Sequence, residues 1–419
     1  MKEGFFIKAS MADKITYYHL LVFAMALPFD RLYSELALIS LAVHTVIHIR
    51  KADITRNRLS AIFIPAAIYF LTVLATAYTH FYGEAFYEWE RQLAILLFPL
   101  IILYNSFDFK KYRLNILLAL AISCFLTILY LYYNAYYIIR FNHLPLTVIF
   151  SNAFINHNFS APIDMHATYF SMYIALGAVA LVYSFVNSQS RKEKWIFGVL
   201  FAVLLAGLLQ LSSRAVLIAF LVIINIAIPL LLYQKRKRVI FAVVSVLFSL
   251  VILFTVTRID NLKARFIVDL KEDLSLSAIN NNIQEPRIQR WECAWELIKQ
   301  SPLYGHGSGS EIVLLKDIYF TRKLYNSYIN ELNAHNQYLS MLIKTGVIGL
   351  FVLLYIFIAG FRQAIRSRDV LFCGFLVIVA SVSFSENILD ANKGIFFFAF
   401  FFSLFYQGSK KEEMAAIQK

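Results

Sequence analysis

His335 stands where a long polar stretch, 257–334, runs into an apolar one. An imidazole at that junction meets both water and an apolar interior, and in its neutral form it can take a proton from a hydroxyl near pH 7. The position equally suits an interfacial polar residue that caps a helix together with Asn336. Arg214 follows Ser212-Ser213 in a short turn between apolar stretches. A charge at the edge of an apolar helix pair is costly unless it faces a cavity or a partner. Its guanidinium can grip phosphate oxygens in bidentate fashion, or it can snorkel to an interface. Arg287 and Arg290, three residues apart at the start of an expected helix, could both face one anionic group. Arg290 fits a solvated helix face, whereas Arg287 shares a stripe with Trp291 and is expected to point inward.

Other candidates surround these. Lys344 lies nine residues beyond His335, about 13 Å along a helix, and there it needs a polar cavity or a partner. His166 and Tyr169, at i and i+3 near a helix end, could line the same space or belong to an interfacial aromatic belt. Glu386, Asp390 and Lys393 share one turn and could form a local ion-paired network. Gly305-His306-Gly307-Ser308-Gly309 lacks the Lys-Ser/Thr of a phosphate-binding loop and reads as a backbone turn. No Asp-rich pair suggests a metal site, and Cys124, Cys293 and Cys373 form no zinc or disulfide pattern.

The elements that must position these residues are membrane helices. The chain is 60% apolar, above the 45–50% or so of soluble domains, with a mean hydropathy of +0.64. The expectation is an all-α polytopic protein with about twelve spans, near 15–29, 32–49, 60–78, 92–106, 113–138, 165–186, 194–211, 214–233, 238–256, 336–361, 369–385 and 392–407. The first lacks a small-residue cleavage site after it and reads as a retained helix. This divides the chain into an N-terminal bundle of about nine helices (1–256), a polar loop domain (257–335), about three C-terminal helices (336–408) and a polar, frayed tail (409–419).

The net charge of +13 sits in short clusters between apolar runs, the distribution that fixes membrane orientation. Seventeen Lys and Arg fall in one set of short loops and five in the alternate set, so both termini are expected in the cytoplasm and 257–334 outside. That segment holds ten basic and ten acidic residues, which leaves no basic face for a nucleic acid. Within it, 286–300 is expected to be a helix opened by Pro286, with Arg287, Trp291 and Trp295 on one stripe beside Ala294 and Ile298. Residues 311–334 read as a helix followed by an extended arm.

Several short motifs together resemble the O-antigen ligase/polymerase family of bacterial envelope proteins. They are Ser212-Ser213-Arg214-Ala215, Arg287-Ile288-x-x-Trp291, Pro302-Leu303-Tyr304-Gly305-His306-Gly307, His335-Asn336-Gln337-Tyr338-Leu339 and Gly346-Val347-Ile348-Gly349. The resemblance covers about residues 205–360; the N-terminal half is similar only in hydropathy. It implies a GT-C-like membrane layout with a large periplasmic loop in the bacterial inner membrane, and a metal-independent, cofactor-free glycosyltransferase. The implied donor is an undecaprenyl-pyrophosphate-linked glycan, and the acceptor is lipid A–core for a ligase or another repeat unit for a polymerase. By the matching positions His335 would be the base, and Arg214 and Arg287 would hold the pyrophosphate. Arg290 stands where an apolar residue is expected, so either loop arginine remains a candidate for the phosphate. Asn336, Tyr338, Lys344, His166 and Tyr169 are candidates to line the pocket. A transporter of lipid-linked sugars, the rival of a different class, would place ionisable residues near the bilayer midplane and show inverted repeats; a protein glycosyltransferase is a further alternative.

Overall fold

A computed structural model describes residues 5–49, 56–105, 107–233, 235–273 and 285–417; the side chains at 56–61, 235, 272 and 407–417 are not described. Arg50 and Lys51, expected in a basic loop, and 274–284 of the polar segment lie outside the described residues. Among the described residues the secondary structure is helical throughout, with no strand. The helices that matter below are α1 (Met11–Ala26), α2 (Arg31–Ile47), α3 (Arg56–Ala75), α4 (Tyr82–Tyr104), α5 (Phe109–Phe141), α6 (Ala167–Asn187), α7 (Arg191–Leu211), α8 (Arg214–Leu232, with a wide turn at Ile223–Ala227), α9 (Lys235–Arg258), α10 (Arg287–Gln300), α11 (Ser310–Thr321), α12 (Gln337–Arg366), α13 (Val370–Val382) and α14 (Asn392–Ile417).

Every expected apolar segment falls on one of these helices. Six of them, α5 to α9 and α12, are long and apolar enough to cross a bilayer; Ile62–Tyr78, Val370–Val382 and Asn392–Tyr406 are shorter apolar helices. The chain is a helical membrane protein by this measure. Its centre is α14, where Ile395 through Phe402 are buried without interruption. A helix apolar on every side packs on every side, and α14 touches α3, α4, α5, α6, α12 and α13. By contrast only 17% of the apolar stretch of α9 is buried, against 78% for α6. Val239, Ile240, Val243 and Val244 of α9 point outward, which only a lipid environment makes inexpensive.

Several boundaries differ from expectation. Helix α4 starts at Tyr82, ten residues before the expected apolar run, and so carries Glu84, Glu88 and Arg91 on its first turns. The segment after α11 folds into a second short helix, Tyr325–Ile329, instead of an extended arm. The tail continues α14 to Ile417 instead of fraying at 409. On α10 the buried face is Arg290, Cys293, Ala294, Leu297 and Ile298, while Trp295 is 49% exposed. The expected aromatic stripe is rotated because α10 lays its smaller residues against α11 and α12.

Helix α12 breaks at Gly346, whose φ of 61° and ψ of −159° are not helical. A break strands backbone groups that an apolar interior cannot solvate. The loop after α10 supplies them: His306 N donates to Ile343 O (2.8 Å), Gly307 N to Lys344 O (2.9 Å), and Pro302 O accepts from Val347 N (2.9 Å). Gly305 and Gly307 hold positive φ at 69° and 87°, and a Cβ on Gly305 would collide with the backbone at Lys344 and Thr345. The Pro302–Gly307 and Gly346–Gly349 motifs are thus two halves of one joint. Ser308 Oγ donates to Thr72 O (2.6 Å) and Thr79 Oγ1 to Ser308 O (2.7 Å), fixing the same loop to α3.

Candidate functional site

Asn336, not His335, caps α12: its side-chain oxygen accepts from Tyr338 N (3.0 Å) and Leu339 N (3.2 Å). His335 precedes the cap with φ 47°, a left-handed conformation that histidine adopts more readily than most residues. Its backbone N–H donates to Asn333 Oδ1 (2.9 Å), and Trp291 Nε1 donates to Ala334 O (3.0 Å), tying α10 to this corner. The ring is thereby free of the helix and meets Glu386, with Nδ1 3.3 Å from Oε2.

Glu386 is 6% exposed. Burial alone would push its carboxyl up; the His335 hydrogen bond and the nearby charges of His166, His335 and Arg287 outweigh that and hold it at about 2. An ionised carboxylate only accepts, so the hydrogen bond to it calls for a proton on Nδ1 of His335. Thr168 Oγ1 reaches the other oxygen of Glu386 at 3.4 Å. His166 caps α6 through Thr168 N, and its ring lies 4.3 Å from that of His157 and 5.3 Å from that of Tyr169, centroid to centroid. Burial, then the neighbouring His166 and Arg265, push His157 down to about 4, so it is neutral at pH 7.

The arginines follow in contact. Arg287 Nη1 donates to Ser385 O at 3.2 Å, the residue beside Glu386. Asp273 pairs with Arg214 and lies 3.8 Å from Arg287 Nε. Arg265, on the wide turn Ala264–Val268, pairs with Asp269 at 2.9 Å. Arg290 is 8% exposed and not on a solvated face as expected; it turns inward because that side of α10 is the packed one. Among the described residues, Arg214 Nη1, Arg265 Nε and Arg290 Nε are buried without a hydrogen-bond partner. A single chain of contacts therefore runs from His335 through Glu386, Ser385, Arg287 and Asp273 to Arg214. Among the described residues guanidinium groups outnumber carboxylates along its arginine end, an arrangement suited to a ligand with more than one negative charge.

Lys344 belongs to a second cluster behind the first. Its Nζ lies 2.7 Å from Asp390 Oδ1 and 3.3 Å from Glu88 Oε1. Ser340 Oγ donates to Glu311 and to Asp390, and Asn387 Nδ2 bridges both Glu311 oxygens at 3.0 and 3.1 Å. Burial raises the Glu311 carboxyl; burial works on Asp390 too, but Lys344 holds it below its usual range. Asn387 Oδ1 accepts from Asn336 N (2.8 Å), so this cluster braces the corner that carries His335. A cavity of about 360 Å³ opens on its far side, between Glu84, Glu88, Arg91, Glu311 and Asp390.

The expected network of Glu386, Asp390 and Lys393 is not a unit. Glu386 faces His335, Asp390 faces Lys344, and Lys393 Nζ caps the carbonyls of Leu27 and Phe29. Three side chains of one turn point three ways because the turn is irregular between α13 and α14. Tyr338 turns its hydroxyl to Ala380 O (2.9 Å) and its ring to Phe384, so it packs on α13 instead of lining the histidine pocket. His306 Nε2 meets Leu297 O at 2.9 Å, in keeping with a structural turn. Sequence reasoning missed Asp273 and Arg265, whose short helical turns follow α9 with no distinguishing pattern. Among the described residues no group of three or more His, Cys, Asp or Glu is placed to hold a metal ion.

The family model described as O-antigen ligase matches residues 199–354, a range that contains Arg214, Arg287, Arg290, His335 and Lys344. A protein of Haemophilus influenzae described as uncharacterized is 22% identical over 351 residues, covering 79% of this chain and 82% of its own length. With the motifs and the helical membrane fold, the match over 199–354 makes this part of the chain similar to the O-antigen ligase/polymerase family.

Proposed function

We propose that the protein is an inverting glycosyltransferase that moves a glycan from undecaprenyl pyrophosphate to a sugar hydroxyl, most simply as an O-antigen ligase acting on lipid A–core. The observation that carries this reading is the contact chain joining His335–Glu386 to Arg287, Asp273 and Arg214 at one end of the helix bundle. His335 Nε2 takes the proton of the acceptor hydroxyl while that oxygen attacks the anomeric carbon. The bond from that carbon to the pyrophosphate oxygen breaks on the opposite face, and Arg214, Arg287 and Arg290 receive the departing charge. One displacement inverts the anomeric centre. Twelve spans, cytoplasmic termini and a periplasmic 257–335 domain in the inner membrane complete the proposal, because the donor is presented at the periplasmic face.

The test is an envelope polysaccharide gel from a deletion strain complemented with wild-type or His335→Ala protein. A ligase predicts bare core and accumulated lipid-linked polymer in both the deletion and the variant. Core capped by a single repeat unit would transfer the same machinery to polymerisation. Normal surface glycan with well-inserted His335→Ala protein would refute the enzyme reading.

A further inference from the structure

Asp273 occupies the position between Arg214 and Arg287 that the proposed function gives to phosphate. A carboxylate presents the same pair of oxygens to a guanidinium as an edge of a phosphate group does. The site also lies at one end of an apolar bundle, where bilayer phospholipids, each bearing a single phosphodiester charge, are far more abundant than any lipid diphosphate. Three arginines grouped there without a counter-ion would fill with those headgroups. The contacts suit a loosely seated internal anion. Asp273 is 27% exposed at its side chain, binds Arg214 closely and stands 3.8 Å from Arg287 Nε. Among the described residues it leaves Arg214 Nη1, Arg265 Nε and Arg290 Nε unpaired, donors that a second phosphate could satisfy.

We propose that Asp273 is an internal placeholder: its carboxylate competes from within the chain for the Arg214–Arg287 site, keeps the vacant site from filling with singly charged phospholipid headgroups, and yields to a diphosphate. The proposal rests on the pyrophosphate reading above. An internal competitor weakens every ligand by the fraction of molecules in which it has let go. The ratio between two ligands is unchanged, but a ligand that is already weak no longer fills the vacant site at membrane concentrations, whereas a tight one still binds.

The experiment measures farnesyl pyrophosphate binding to the full-length protein in phosphatidylcholine nanodiscs, with and without phosphatidylglycerol. Wild type is compared with Asp273→Asn, Asp273→Ser and Arg214→Gln, each first shown to melt as wild type does. In phosphatidylcholine the Asp273 variants bind about tenfold more tightly than wild type, and phosphatidylglycerol weakens them about tenfold more than it weakens wild type. Asp273 variants that bind no more tightly, or that resist phosphatidylglycerol as wild type does, overturn the proposal. Arg214→Gln separates the two levels: if it leaves binding unchanged, the pyrophosphate reading itself fails.

Discussion

At the scale of single residues, the proposed transfer rests on the pair His335 and Glu386. The proposed base needs a defined free nitrogen, and a carboxylate 3.3 Å from its Nδ1 is placed to define it. Glu386→Gln keeps the shape and removes the charge. The expected outcome is a fall in the rate of transfer of about a hundredfold with little change in donor affinity, read as a kcat effect at constant KM. Stability carries a second signature. The carboxyl lies at about 2 in the folded protein against 4.5 unperturbed, so its contribution is fully present above about pH 4.5 and is lost as the pH falls toward 2. Wild-type melting temperature in detergent should drop across that window. The Gln variant should start lower at neutral pH and lose less; identical acid profiles would contradict the ionised pair.

At the scale of elements, the joint between α12 and the loop after α10 sets where His335 can stand. The break at Gly346 lets three backbone bonds form across it. Gly346→Ala puts a Cβ against Leu303 and Tyr304 and forces a left-handed φ on an alanine. The expected cost is about 3 kcal/mol or more from clash and backbone strain together, measured as a lower melting temperature and lower yield of folded protein. A fully stable variant would mean the joint is optional. Lys344 secures the same region electrostatically, joining α12 to Glu88 of α4 and to Asp390 before α14. Lys344→Met strands buried carboxylates and should destabilise by about 3–5 kcal/mol. Adding Glu88→Gln and Asp390→Asn to that variant should recover part of the loss; no recovery would show that packing, not charge, is at stake.

For the molecule as a whole, the charge bias and the site lie at opposite ends. Arg113 pairs with Asp369 at the starts of α5 and α13, within the basic set of loops, while His335, Arg214 and Arg287 gather at the other end. The three native cysteines are buried and do not interfere with labelling. In spheroplasts a membrane-impermeant maleimide should label Lys299→Cys on the exposed face of α10 and leave Arg191→Cys at the start of α7 unlabelled until the membrane is opened. The reverse pattern would turn the protein over and overturn the proposed periplasmic site.

Hydropathy by itself determined that the chain is helical and where its long helices lie, because a run of about 20 apolar residues has few alternatives in a bilayer. Residue chemistry made His335, Arg214, Arg287 and Arg290 candidates, since charge at the edge of lipid is costly. What only the tertiary structure decided are the pairings. Glu386 goes to His335 and Asp390 to Lys344, although both sit in one turn. Asp273 comes to Arg214 across 59 positions of sequence, and Arg290 turns inward. Such contacts depend on how irregular turns aim short side chains and on which face of α10 packs, and neither leaves a periodic trace in the chain.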